Sequence, residues 1–591
     1  MDQALQNVDS PTTKPRFVCS SRSFASNMII AHNEGAIVPV IPLSNQAEPA
    51  AIRSSGRQLH HSEYTHRKNK NPGQSNPETR ANPLPARAKS AGIFPLRSKN
   101  PARRNGGVFL LWISLLALLF TIPGFARERV LSIMLPDMGD SSETFLSTAN
   151  ARQLGEAFMR EARARIPIID EPEISSYLNS VGYRLASHSG GGNTGATKMH
   201  FTFFAVQNPA INAFAVPGGF IGVNAGLILS TESESELAAV LGHEIAHIRQ
   251  HHIARAIQLT DKMNPLAIAG VLAAVLIGAQ SSQAGQAAMT AVTAGTLQKR
   301  IDFTRANEKE ADRIGIGILS DAGFDPRAAP DFFERLQTAH RYYSQPPEFL
   351  STHPVTVSRI ADSRNRAEQY PYRQYADSLA YHLVRAHLAV MMEQNPKKSI
   401  TYFDNALRSG KYRNKTATRY GLALASMAAN RWQKAKAEIG NLLKTHPNHV
   451  VFRARQAEIE LASGHIPKAI SIYADALLLH PEHPLLTEGY ARALLQGNKP
   501  KKVIALLDRQ GKKASRNPTL QQLLAKAFAH AGNQTGASAA LAEHHYLNGD
   551  LNAAIRQLRI ALETSQDYYQ NARIEARLKQ FEKERNLRAE Q

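Results

Sequence analysis

One cysteine in 591 residues, Cys19, with none after it, closes off several chemistries. No disulfide framework can form, no thiol can serve as nucleophile, and no zinc site can use sulfur. The scarcity suits an oxidising compartment, where stray thiols are a liability. Acidic side chains are also in deficit: 49 Asp and Glu stand against 70 Lys and Arg, a net charge of +21. Such a surplus can mark a nucleic-acid binder. The chain has no zinc-finger spacing, no aromatic-basic recognition strand and no Walker loop, so no nucleic acid is expected as a partner. A solvated basic surface facing anionic envelope components is the plainer reading. Long apolar runs are missing as well. The run at 108–122 is 15 residues, short of the roughly 20 that span a bilayer.

That run has a purpose other than spanning. Lys99, Arg103 and Arg104 precede it, and Pro123-Gly124-Phe125-Ala126 follows, with small residues suited to cleavage after Ala126. This is the layout of a secretory signal at 107–126; an uncleaved anchor with a basic cytoplasmic tail is the alternative. Residues 1–106 are rich in Ser, Asn, Pro and Arg and lack an apolar period, so they read as a disordered basic leader. A translation start shortly before Val108 would remove that leader altogether. The mature protein is then expected in the periplasm.

What is present is sharply organised. Helical periodicity runs over 150–166 and 173–188, with Pro167 ending the first stretch. Residues 201–206 read as a strand, and 212–216 and 220–223 as extended segments about Pro217-Gly218-Gly219. A helix is expected to start near Thr231, which has capping-box spacing to Glu234. The nearly uncharged segment 266–294 reads either as a buried helical hairpin or as a lid that touches the membrane. Further helices are expected through Glu308, through Phe332 and over 358–370. Beyond residue 371 a repeat takes over. Ala423, Ala457, Ala491 and Ala525 recur every 34 residues, as do Ala435, Ala469, Val503 and Ala537, and also Pro447 and Pro481. Period 34, with small residues where paired helices touch, is the tetratricopeptide pattern. The expected architecture is an α+β, mainly helical domain with a small edge-exposed sheet at 127–370, then an all-α tetratricopeptide solenoid at 371–591.

The chemistry concentrates in His243-Glu244-Ile245-Ala246-His247. On a helix, positions i and i+4 share a face, so both imidazoles can grip one ion while Glu244 reaches a water without ligating the metal. A hydrolytic zinc needs a third protein ligand. Gln250 and Ile253 rule out the form with a third histidine six residues after the second, and no glutamate occurs between Glu244 and Glu308. Glu308 is thus the first glutamate available to complete the set. Asp312, one turn on, can accept the free N–H of a ligand histidine. Glu310 and the pair His251-His252 read as solvated helix residues. Two histidines and a carboxylate would also suit a mononuclear iron oxygenase; the adjacent Glu244 argues for hydrolysis.

The run His243-Glu-Ile-Ala-His247, with Asn307-Glu-Lys-Glu-Ala-Asp-Arg-Ile-Gly-Ile316, resembles the CAAX prenyl protease / HtpX family of zinc metallopeptidases. It is similar above all to the soluble periplasmic members that carry a C-terminal tetratricopeptide domain. The likeness extends through Leu135-Pro-Asp-Met-Gly139, Asn212-Ala-Phe-Ala215, Gly218-Gly219, Thr352-His-Pro354 and Ser358-Arg359. It implies one Zn²⁺ per chain on His243, His247 and Glu308, and Glu244 as general base with Asp312 in support. It implies that 212–223 forms an edge strand pairing with extended substrate, with Asn212, Ala213, Phe214 and Ala215 as contacts. Arg359 is expected to bind substrate as a supporting charge, with a simple salt bridge as the rival reading. His353 matches a family histidine that either binds the zinc as a fourth ligand and shuts the site or sits by the reacting carbonyl. The implied substrates are misfolded or stalled outer-membrane β-barrel proteins. The implied partner is the barrel-assembly machinery, reached through the repeats, with a role in lipopolysaccharide-transporter maturation. A mainly non-proteolytic assembly chaperone is the rival function.

Overall fold

A computed structural model describes residues 147–190, 199–253, 255, 294–342 and 347–589, all within one compact unit, Arg127–Gln591. The leader, the signal-like run and the segment 266–293 lie outside the described residues. Among those described, no helix is long and apolar enough to cross a membrane.

Helix α1 (Thr148–Arg165) is capped by Ser147 and ends where Pro167 forbids continuation. Strand β1 (Ile168–Ile169) and helix α2 (Pro172–Ala186) follow, then β2 (Thr202–Val206), β3 (Ala213–Val216) and β4 (Phe220–Asn224). The sheet order is β1-β2-β4-β3, with β2 and β4 parallel and both outer pairs antiparallel. Gly218 and Gly219 both hold φ +85°, and a Cβ at either would strike backbone carbonyls near 2 Å away. Only glycine makes this hairpin. The hairpin corrects one expectation. The segment 212–223 is not all edge: β3 is the edge strand, and β4 is paired on both sides.

Helices α3 (Ala225–Ser230), α4 (Glu234–Arg249), α5 (Ala294–Asp321), α6 (Ala328–Tyr342), α7 (Glu348–Thr352) and α8 (Val357–Ala367) complete the domain. Every residue of α4 but its last is buried, which makes it the central element. Leu237, Leu241 and Ile245 pack there with Ile316, Leu319, Phe332 and Phe333. The cap of α4 differs from the expected one. Ser233, not Thr231, accepts from the backbone of Glu236, and Glu236 accepts in return from Glu232. Thr231 instead closes α3.

The solenoid comprises α9 (Leu379–Met392), α10 (Pro396–Ser409), α11 (Lys415–Ala428), α12 (Trp432–Thr445), α13 (Val450–Ala462), α14 (Ile466–Leu479), α15 (Pro484–Gln496), α16 (Pro500–Gln510), α17 (Lys512–Ser515), α18 (Pro518–His530), α19 (Gln534–Leu547), α20 (Leu551–Thr564) and α21 (Tyr568–Ala589). Both columns of small residues are buried, one on α11, α13, α15 and α18 and the other on the helices paired with them. The repeats hold the preceding α+β domain at several points. Arg385 of α9 donates to the carbonyls of Ile228 and Thr231. Arg160 of α1 pairs with Glu584 of α21. Glu173 of α2 is buried against His387, Tyr420 and Arg455. Part of the surface that a free solenoid would offer to partners is therefore occupied by the chain itself.

Candidate metal centre

Helices α4 and α5 meet through two glycines. A Cβ on Gly242 would lie 3.2 Å from the Gly315 carbonyl, and one on Gly315 would lie 3.1 Å from the backbone N of His243. This close approach brings the carboxylates of α5 to the imidazoles of α4. The His243 and His247 Nε2 atoms are 3.0 Å apart. Glu308 places one oxygen 3.5 Å from His243 Nε2 and the other 3.3 Å from His247 Nε2. His353, just past α7, places Nδ1 3.1 Å from both Glu308 oxygens and 3.3 Å from His243 Nε2. All four residues are buried, and their donor atoms lie within 4.8 Å of one another.

These separations decide whether a metal fits. Ligands at the usual zinc distance of about 2.0–2.1 Å sit roughly 3.3 Å from one another around a tetrahedron. Five of the six pairs, taking the nearer carboxylate oxygen of Glu308, lie 3.0 to 3.5 Å apart and bracket that figure. Three nitrogens and a carboxylate are also a zinc-type donor set.

The electrostatics ask for positive charge at the same point. Burial alone would raise the Glu308 carboxyl; His353, with hydrogen bonds from His243, His247 and His353, outweighs it and holds the group far below the usual carboxylate range. Burial would lower His243, but hydrogen bonds to Asp312 and Glu308 push it up to about 10. Burial dominates at His247 and brings it down to about 3. A proton on His243 and a cation among the four donors are alternative answers to one carboxylate field.

Glu244 stands beside the cluster. Burial raises its carboxyl, with His353 and His243 opposing, and Ala215 of β3 gives it a backbone hydrogen bond. One of its oxygens is buried without a hydrogen-bond partner, and that oxygen is 3.4 Å from His353 Nε2. A carboxylate with a raised pKa and a free lone pair suits proton abstraction near neutrality. The Ala215 amide faces Glu244 rather than β4, so the open side of the edge strand borders the site.

Other residues fall in unexpected places. Asn212 is buried; it donates to Glu348 at 3.0 Å and accepts from Thr352 at 3.4 Å, tying the start of β3 to α7. Ala213 is fully buried, and the Phe214 ring packs edge-on against Phe158 and Phe204. Arg359 forms a buried salt bridge, the rival of its two sequence readings. Its guanidinium is buried on Asp312 at 2.7 and 2.8 Å, on Glu308 at 2.9 Å and on the Pro354 carbonyl at 2.7 Å. Asp312 in turn meets His243 Nδ1 at 3.0 Å. His252, read from sequence with His251 as a solvated helix end, is the clearest correction, whereas Glu310 does stay one-third exposed. His252 is buried, with Nδ1 2.9 Å from His247 Nδ1 and Nε2 3.2 Å from Glu310. No sequence periodicity marks it.

Comparison with known proteins agrees with this geometry. The model of "Peptidase family M48" matches residues 173–367, and that of the tetratricopeptide repeat matches 460–527. The "Beta-barrel assembly-enhancing protease" of Escherichia coli (strain K12) is 37% identical over 448 residues, covering 76% of this chain and 91% of the relative. The protein of the same name in Yersinia pestis is 35% identical over 449 residues, again 76% of this chain and 91% of its own length. "Mitochondrial metalloendopeptidase OMA1" of Schizosaccharomyces pombe is 33% identical over 167 residues, 28% of this chain and 47% of that protein.

Proposed function

The chain belongs to peptidase family M48, among the beta-barrel assembly-enhancing proteases, and is therefore a metalloendopeptidase; on that premise we propose that it is a periplasmic zinc enzyme cutting misfolded or stalled outer-membrane β-barrel proteins. Family membership also removes the iron-oxygenase alternative. The observation that carries the mechanism is the buried meeting of His243, His247, Glu308 and His353 beside Glu244.

His243, His247 and Glu308 would hold one Zn²⁺, whose Lewis acidity would polarise a scissile carbonyl and acidify water. Glu244 takes the proton of the attacking water and returns it to the leaving amide nitrogen. Asp312 fixes the tautomer of His243, and Arg359 neutralises Asp312 and Glu308 together. An extended substrate pairs along β3, reading backbone rather than side chain, which suits unfolded segments. The repeats supply contact with the barrel-assembly machinery. The chelator 1,10-phenanthroline is expected to abolish cleavage of an unfolded β-barrel substrate, and stoichiometric Zn²⁺ to restore it. Full activity in metal-stripped protein would defeat this reading.

His353 competes for the same space as a substrate carbonyl. Its ring stacks on Phe349 at 4.8 Å, and its backbone N–H bonds to the Phe349 carbonyl. This supports a latch that fills the fourth ligand position at rest. If the latched state is favoured by about 1.4 kcal/mol, His353→Ala should raise basal proteolysis roughly tenfold. Unchanged turnover would remove the latch, and a severe loss would assign His353 to the transition state instead.

A further inference from the structure

Beyond the four donors lies an arrangement that the mechanism above does not use. Helix α4 stops at Arg249, and His251 takes φ 53° in the left-handed region, uncommon for a residue with a side chain. On a continuous helix, a residue five positions after His247 would lie about 140° around the axis from it. The left-handed turn undoes that separation. It folds His252 back beneath His247, with the two Nδ1 atoms 2.9 Å apart. The Arg255 guanidinium closes the turn by donating to the Gln250 carbonyl at 2.7 Å and reaching Glu310 at 3.7 Å.

The two imidazoles can share only one proton between facing Nδ1 atoms, and the direction follows from their other nitrogens. His247 Nε2 faces Glu308 and His243, where a metal would need its lone pair, so the His247 proton sits on Nδ1. His252 Nδ1 must then accept, which leaves its own proton on Nε2, 3.2 Å from the Glu310 carboxylate. Every donor in this order meets an acceptor. From these contacts we infer that His252 and Glu310 are positioning residues that fix the tautomer and ring plane of His247 for metal binding. The two ligand histidines are thereby backed differently from one helix: Asp312 supports His243 directly, whereas Glu310 supports His247 through an imidazole. Glu308, Glu310 and Asp312 all come from α5. Glu310 projects from the opposite face to Glu308, where the segment that wraps round after α4 meets it.

This inference rests on the proposed metal set, and the test separates the two. Zn²⁺ affinity is measured by competition with a chromophoric chelator, and the visible spectrum of the Co²⁺ form is recorded. His252→Ala should weaken Zn²⁺ binding about 10- to 100-fold and alter the Co²⁺ spectrum, while the metal-free protein melts like wild type. Glu310→Ala should move both readouts the same way. Glu310→Gln should restore most of the affinity, because its amide oxygen still accepts from His252. Glu310 is one-third exposed, so its variants should fold even if the His252 variant does not. Wild-type affinity and spectrum in both alanine variants would overturn the relay alone, as would Gln and Ala at 310 behaving identically. Wild-type affinity in His247→Ala would overturn the metal set beneath it.

Discussion

Glu244→Gln should cut peptide hydrolysis by about 10²- to 10⁴-fold, the usual contribution of a positioned base, while zinc content stays at the wild-type level. Glutamine keeps the size of the side chain, and its amide oxygen can still accept the Ala215 hydrogen bond. What it lacks is a lone pair basic enough to take a proton from water. Because the wild-type carboxyl is fully buried and pushed upward by that burial, replacing it removes a desolvation cost. The variant should therefore melt at or above the wild-type temperature. Loss of turnover with retained metal and retained fold isolates the chemical step. Turnover within tenfold of wild type would mean another group moves the proton. In cells the same variant tests the rival function: if it fully supports outer-membrane assembly, the repeats carry the work and cleavage is secondary.

The sequence made parts of this site readable because helix geometry links spacing to space. His243 and His247 share a face by their i, i+4 separation, and Glu308 and Asp312 do so for the same reason. The gap without glutamate between Glu244 and Glu308 pointed to Glu308, whose carboxylate the structure brings to both imidazoles. The solenoid was legible from its alanine columns, since a small residue every 34 positions marks where each pair of helices touches the next. Failures came wherever position depends on backbone turns or on packing between distant segments. Thr231 with Glu234 and Ser233 with Glu236 are overlapping capping boxes, and only tertiary contacts choose between them; Glu234 is drawn away to Ser378 and Tyr177. His252 reaches His247 through one left-handed residue that no periodicity encodes. Arg359 was recognisable as a charge near the site. That it holds Asp312, Glu308 and the carbonyl beside His353 at once follows from how α8 packs across α5.

Glu173→Gln should destabilise the joined domains by about 3–5 kcal/mol at neutral pH, the cost of removing one member of a buried ion pair. The Glu173 carboxylate accepts from Tyr420 at 2.6 Å and Arg455 at 2.8 Å, and His387 Nδ1 lies 3.0 Å away. Burial pushes the carboxyl upward, but the charge and hydrogen bond of His387, then Arg455 and Tyr420, outweigh it and bring it from 4.5 down to about 2. A depressed carboxyl stabilises the folded state above the unfolded pKa and ceases to do so as pH falls through the folded one. The wild-type protein should thus lose about 3 kcal/mol between pH 4.5 and about 2. The Gln variant, with no proton to gain, should lack that slope while starting lower. Melting curves across pH read both effects, with an expected drop of roughly 3–5 °C at neutral pH for a unit of this size. Adding Arg455→Met to the Gln variant removes the stranded guanidinium and should recover part of the loss. A Gln variant that melts like wild type at neutral pH would show that the junction is held by the apolar and backbone contacts around α9 and not by this charge. Peptidase activity on a short unstructured peptide should survive the substitution, since Glu173 lies outside the metal cluster. Activity on a large substrate that must also engage the repeats should fall. That divergence would locate in Glu173 the coupling between cutting and holding.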